Sequence, residues 1–153
     1  MGKATTFNYY NEIFQFPDDS YVKCEIFDTS GQEKYNSMNI QYYQRANCCV
    51  LVYDITKKYT FEECKNYYKQ EIIKNCKKGI KVLLIGNKED LEKDRKVTKK
   101  EAKDFAIENN YYFKETSCES TFNVMEAFET IILETYGDLR DFRNSKWDKY
   151  LNF

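Results

Sequence analysis

The sequence predicts an α/β domain, a three-layer, mostly parallel open sheet with one antiparallel hairpin. Three observations predict it. Two continuous apolar runs, Cys48-Cys49-Val50-Leu51-Val52-Tyr53 and Val82-Leu83-Leu84-Ile85, suit strands buried on both faces. Segments with helix-start signals alternate with these runs, which argues for right-handed crossovers between parallel strands. Upstream, Phe16-Pro17-Asp18-Asp19-Ser20 is a run of turn formers between two extended segments, the pattern of a hairpin.

Taken in order, the first hairpin arm lies around Ile13 to Phe16 and the second over Tyr21 to Phe27, with Val22, Cys24 and Ile26 on one face. The run 48–53 is the next strand. Thr60-Phe61-Glu62-Glu63 fits a capping box, in which hydroxyl and carboxylate satisfy free amides at a helix start, and opens a helix to about Asn75. The run 82–85 follows. Thr98-Lys99-Lys100-Glu101 is a second capping box, opening a helix to about Glu108 with Ala102, Phe105 and Ala106 inward. Tyr111-Tyr112-Phe113 is a shorter strand. Asn123 is placed to cap a last helix whose inner face is Ala127, Phe128, Ile131 and Ile132 and whose end is expected near Gly137. Residues 1–137 read as the folded domain and residues 138–153 as a charged tail carrying Leu139, Phe142 and Trp147.

Composition narrows the function classes. The chain has 153 residues, 42% apolar and 32% charged, as a soluble domain with a real core should. A net charge of -1 argues against a nucleic-acid footprint. There is no histidine, so no imidazole can act as base or metal ligand. The 14 Tyr and 11 Phe are spread along the chain and read as core and rim. Cys24, Cys48, Cys49, Cys64, Cys76 and Cys118 form no C-x-x-C pair and read as small buried thiols of a reducing compartment. No run of apolar residues is long enough to span a membrane. Met1 to Thr6 matches a myristoylation pattern formally, but the pattern is short and reads as chance; no prenylation cysteine stands at the end.

Three polar clusters fall at the carboxyl ends of expected strands, where open α/β sheets bind ligands. They are Asp28-Thr29-Ser30-Gly31-Gln32-Glu33, Asn87-Lys88-Glu89-Asp90 and Glu115-Thr116-Ser117-Cys118. Each alone could be a strand-end cap or a turn. Together, in this order, they carry chemistry. A carboxylate such as that of Asp90 offers two acceptors to the adjacent N1–H and N2–H2 donors of guanine, and adenine presents mismatched groups to it.

Through "DTSGQE", "QYYQRA" (41–46), "LVYDIT" (51–56), "GNKEDL" (86–91) and "ETSC" (115–118) the chain resembles a small GTPase of the Ras superfamily, most similar to the Rab branch. The resemblance covers Asp28 to about Tyr136. It implies a P-loop NTPase G domain and a GTP/GDP switch in intracellular vesicle traffic. It implies that Asn87 and Lys88 flank the base, that Ser117 orients the Asp90 carboxylate, and that the Cys118 amide reads guanine O6. It further implies that Asp28 holds Mg²⁺ through water, that Gly31 gives its amide to the γ-phosphate and that Gln32 orients the attacking water. Thr5 or Thr6 resembles the threonine that ligates Mg²⁺. Effectors and regulators would meet the surface of Tyr35, Met38 and Tyr42, and the location would be cytoplasmic, peripheral on endomembranes. Two positions depart from the pattern: Cys118 stands where the family usually has alanine, and Glu119 where it usually has a lysine that packs on the base.

The family pattern begins with a strand, a G-x-x-x-x-G-K-[ST] loop and a helix, and no such run occurs in these residues. Gly2-Lys3-Ala4-Thr5 mimics the end of the loop, but it lies too close to Asp28 to fit a helix between. The resemblance therefore implies a G domain without its N-terminal strand, phosphate loop and first helix. About five charge-assisted bonds at ~1.5 kcal/mol each would be lost, roughly five decades of affinity. GTP and Mg²⁺ binding are expected to be weak or absent and hydrolysis lost, because the phosphate is no longer positioned. In the family topology the first strand lies between strands 22–28 and 48–54, so those edges are expected either unpaired or closed on each other. The alternative reading is a nucleotide-independent pseudo-GTPase that serves as a protein-interaction module.

Overall fold

The computed structural model describes residues 8–15, 21–29 and 36–147. They divide into two units, the break falling between Arg45 and Ala46.

The first unit holds the hairpin. Strands β1 (Asn8–Gln15) and β2 (Tyr21–Asp28) pair antiparallel, with Asn8 opposite Asp28 and Gln15 opposite Tyr21. Along β2 half-buried Val22, Cys24 and Ile26 alternate with exposed Tyr21, Lys23 and Glu25, the face expected from the period of two. The first arm is longer than expected, starting at Asn8. Its extension brings Tyr9 opposite Phe27, with ring centroids 5.2 Å apart. Helix α1 (Asn36–Arg45) follows, and its Tyr42 stacks on Phe27 at 4.6 Å.

The second unit is built on a parallel sheet of three strands, β3 (Cys48–Asp54), β4 (Lys81–Asn87) and β5 (Tyr112–Thr116), in that spatial order. The hairpin and this trio form two sheets. Among the described residues β3 pairs with β4 alone and β2 with β1 alone. The run from Val82 to Ile85 in β4 is buried throughout, so both of its faces are covered. β3 differs from its expectation: Leu51 and Tyr53 are buried, but Val52 between them is 54% exposed. It lies at the edge of this sheet, and one of its faces is incompletely covered among the described residues.

Helices flank the sheet. Helix α2 (Lys58–Glu63) passes through a π-helical turn (Cys64–Tyr68) into α3 (Lys69–Asn75). The expected capping box at Thr60 is not a cap. The helix starts at Lys58, and Thr60 sits within its first turn, accepting from Asp54 N at 3.0 Å and donating to Lys57 O at 2.7 Å. The hydroxyl thereby ties the helix to the end of β3. The second box holds at its hydroxyl: Thr98 caps α4 (Lys99–Glu108), accepting from Glu101 N at 3.1 Å, while the Glu101 carboxylate takes Lys58 instead. Helix α5 (Val124–Trp147) packs on β3, β4 and β5 and runs through Gly137, beyond the end expected there. A single glycine in a helix costs only about 1 kcal/mol against alanine, too little to stop it.

The core joins these layers. Tyr53 meets Phe61 at 4.9 Å, Phe61 meets Phe105 edge-on at 5.7 Å, and Phe105 meets Tyr111 at 6.0 Å. Ile55, fully buried just past β3, accepts from Lys96 N and Val97 N and donates to Asn87 O at 3.1 Å. These bonds draw the segment after β4 under the strand ends. Among the cysteines only Cys64 is buried; Cys118 is exposed and the other four are half-buried, so the expectation of uniformly buried thiols does not hold.

Candidate functional site

The register sets three residues side by side at the carboxyl ends of the parallel strands: Asp54 is opposite Asn87, and Asn87 is opposite Thr116. From these tips the chain makes two loops, 88–98 and 117–123.

The first loop begins with a left-handed residue, Lys88, at φ 68°. That conformation costs a non-glycine residue energy and needs support from its surroundings. The support is an ion pair from Lys88 Nζ to Asp54 Oδ2 at 2.8 Å. Asp54 is itself braced, since its Oδ1 accepts from Thr56 N at 2.9 Å and from Thr56 Oγ1 at 2.7 Å. Burial alone would push the Asp54 carboxyl up, but the bonds from Lys88 and Thr56 outweigh it and hold it below the usual range. After Lys88 a 3-10 turn (Glu89–Asp94) carries exposed Asp90 back toward the sheet.

The second loop presents Ser117, which is fully buried. Its N donates to Phe122 O at 3.1 Å, and its Oγ accepts from Ser120 N at 3.2 Å. The same Oγ donates to Asp90 Oδ1, bridging residues 27 apart in sequence. Thr121 and Asn123, both left-handed, turn the loop into α5, and Asn123 Nδ2 donates to Glu115 O at 3.3 Å. Asn87 Oδ1 accepts from Thr116 Oγ1 at 3.3 Å and lies 3.7 Å from Cys118 Sγ. Behind the loops, Arg95 forks onto the buried Glu115 carboxylate at 2.7 and 3.1 Å and also takes Glu92. With two carboxylates around it the guanidinium is held charged more firmly than usual.

Five sequence-predicted residues, Asn87, Lys88, Asp90, Ser117 and Cys118, are thus gathered at one end of one sheet. Asp28 stands exposed at the end of β2 in the other unit. Thr5, Thr6, Gly31, Gln32 and Tyr35 lie outside the described residues; Met38 falls in α1 and Tyr42 is half-buried there. Two site residues were missed in the sequence. Asp54 had the signal already used for Asp28, an acidic residue closing an apolar run. Arg95 had none, since only the fold brings it to Glu115.

This arrangement sets an exposed carboxylate, held through one oxygen by a buried serine, at the tips of the parallel strands. It suits the flat edge of a base that offers paired donors. The match with known proteins is decisive for kinship. A model of the Ras family matches residues 2–136. The chain belongs to the Ras family. Its Ras-family relatives include Ras-related protein Rab-2B of Dictyostelium discoideum, 42% identical over 116 residues, 73% of this chain and 55% of that protein. Ras-related protein Rab11A of Lotus japonicus is 41% identical over 120 residues, 78% of this chain and 53% of that protein. GTP-binding protein ypt3 of Schizosaccharomyces pombe is 40% identical over 119 residues, 78% of this chain and 55% of that protein. The chain spans about half the length of the curated relatives it matches. The parallel sheet with its helices and the antiparallel hairpin agree with the α/β fold of a Ras-like G domain.

Proposed function

We propose that this chain carries the base-reading end of a Rab-like small GTPase, a guanine-nucleotide switch in intracellular vesicle traffic. The observation that carries the reading is the hydrogen bond from Ser117 to Asp90. It holds one carboxylate oxygen from below and fixes the plane of the group, so that both oxygens can accept from guanine N1–H and N2–H2. Asn87 ends β4 three residues earlier, and the Lys88 stem, tethered through its ammonium to Asp54, offers an apolar edge to one face of a purine. The Cys118 backbone amide reads guanine O6 in this proposal, so the thiol side chain is tolerated. Glu119 in place of a packing lysine weakens the hold on the base.

GTP or GDP fits this donor set at its base. For the phosphates and Mg²⁺ the proposal assigns Asp28 to the ion through water, with Thr5 or Thr6 as a second ligand, Gly31 to the γ-phosphate and Gln32 to the attacking water. Mg²⁺, when bound, supplies neutralisation of the phosphate charge. Among the described residues no three His, Cys, Asp or Glu side chains cluster as a metal site. The 153 residues contain no G-x-x-x-x-G-K-[ST] run, so these residues alone supply base recognition without the loop that grips phosphates. Nucleotide affinity of this chain by itself is expected to be weak and its hydrolysis negligible. Effector and regulator proteins are assigned to the switch-II surface of Tyr35, Met38 and Tyr42. No described helix is long and apolar enough to cross a membrane, and a peripheral place on endomembranes is proposed from the Rab kinship.

Titration with fluorescent GDP and ADP in Mg²⁺, carried to millimolar nucleotide, tests the reading. Saturable GDP binding with at least tenfold discrimination against ADP is expected. Absence of any saturable nucleotide binding would replace it with the nucleotide-independent interaction module; equal binding of both would remove guanine recognition.

A further inference from the structure

The opposite end of the parallel sheet carries a feature that nucleotide recognition does not use. Cys49, the second residue of β3, and Cys76, the residue just past α3, bring their Sγ atoms to 3.7 Å. Both are thiols, and both are partly exposed rather than sealed in the core. The contact is held from two sides, because β3 is hydrogen-bonded along its length to β4 and the helix leading to Cys76 is anchored by buried Cys64 and Ile72. Cys76 N donates to Ile72 O at 2.9 Å, which fixes the backbone at the helix end. Two thiols in van der Waals contact on separate rigid elements need only small side-chain rotations to reach bonding distance.

The surroundings favour ionisation of one partner. Cys76 is followed by Lys77-Lys78-Gly79-Ile80-Lys81, a basic turn that lines a depression of about 110 Å³ with Asn47 and Thr135. The two sulfurs are in hydrogen-bonding contact and either can donate; that contact holds the Cys76 thiol below its ordinary value and, with burial, pushes that of Cys49 up. The basic turn that directly follows Cys76 favours this sulfur as the attacking thiolate. The neighbouring Cys48 alternates to the other face of β3, and Cys64 is occupied near Val52 O.

We propose that Cys49 and Cys76 form a dithiol modification site whose oxidant is a hydroperoxide. The Cys76 thiolate attacks the peroxide; the O–O bond breaks, the distal oxygen leaves as water after taking a proton, and Cys76 becomes a sulfenic acid. Cys49 then attacks that sulfur as its thiolate, the S–OH bond breaks, and the hydroxyl leaves as water with the Cys49 proton. One hydrogen peroxide is reduced to two waters and two thiols are oxidised to one disulfide. The bond closes a loop over a sequence separation of 27 residues, stapling the whole α2–α3 segment to the start of β3. This proposal is independent of guanine recognition, which lies at the other strand ends.

The test treats the reduced full chain with one equivalent of hydrogen peroxide, alkylates the remaining thiols and maps peptides by mass. A Cys49–Cys76 linked peptide lighter by two hydrogens is expected, with a thermal midpoint raised by about 5 °C and restored by dithiothreitol. Cys118→Ser should keep both effects, and Cys49→Ser or Cys76→Ser should lose them. Alkylated Cys49 and Cys76 beside an oxidised Cys118, or a sulfinic acid at Cys76 without the link, overturns the site. If a serine variant does not fold, the map of the unaltered chain decides.

Discussion

Lys88, in a left-handed conformation, sets its ammonium 2.8 Å from the carboxylate of Asp54, the last residue of the neighbouring strand. The pair fixes the first residue of the loop that carries Asp90. It also makes Asp54 a titrating support. Because its folded-state pKa lies below the ordinary value, its contribution is complete above that value and fades as pH falls through the folded one.

Asp54→Asn should therefore destabilise the chain by about 1–2 kcal/mol at neutral pH, where a charged acceptor of several bonds is lost. The gap between wild type and variant should close as the pH drops below about 4. Urea denaturation across an acid series measures it; a gap independent of pH would show that the Asp54 charge supports nothing.

Among the described residues Arg95 is the only cation forked onto Glu115, whose side chain is 4% exposed, with Lys99 more distant at 3.7 Å. Removing it in Arg95→Met leaves a carboxylate buried with its main partner gone, and about 3 kcal/mol of stability should go with it. Because Glu115 stands two residues before Ser117, the variant should also broaden NMR signals of the 117–123 loop. A loss under about 1 kcal/mol would mean that solvent reaches Glu115.

At Gly86 an added methyl would lie 2.6 Å from Tyr53 Oη and 2.9 Å from its ring carbon Cζ. Tyr53 is 1% exposed, and its hydroxyl finds no hydrogen-bond partner among the described residues. Gly86→Ala should destabilise by about 1–3 kcal/mol through overpacking. Tyr53→Phe should be neutral or stabilising by about 1 kcal/mol, since it deletes an unsatisfied buried hydroxyl. Combined, the two should cost less than their sum, because the phenylalanine removes the nearest of the close contacts, that with the hydroxyl. Additive effects in thermal unfolding would contradict this geometry.

Much of this arrangement was readable from residue order. The β4 run, the Thr98 cap and the clusters at 87–90 and 115–118 follow from local rules, because each depends on neighbours within a few positions. Thr60 misled for a physical reason. A threonine three residues before a glutamate satisfies the capping pattern, but Asp54 N, six residues upstream, took its hydroxyl and let the helix start two residues earlier. Val52 misled as well, since an apolar run cannot say whether anything covers its second face. Arg95 depends on its pairing with Glu115, twenty residues on, which no short window contains, whereas Asp54 carries the same strand-end signal as Asp28.

Thr98→Ala should remove the one side-chain cap of α4 and lower stability by about 1 kcal/mol. Lys58→Ala, which frees the Glu101 carboxylate at the surface, should change it by less than about 0.5 kcal/mol. Equal effects of the two, read by chemical denaturation, would mean that the ion pair rather than the cap sets the start of the helix.

Asp90 tests the central claim most directly. Its carboxylate, steered by Ser117, is the group proposed to read the base. Competition of unlabelled guanine and adenine nucleotides against a fluorescent GDP should show a guanine preference for the wild-type chain. In Asp90→Ala that preference should fall at least tenfold, about 1.4 kcal/mol, with the fold intact by circular dichroism. An unchanged preference in a folded Asp90→Ala chain would contradict the account.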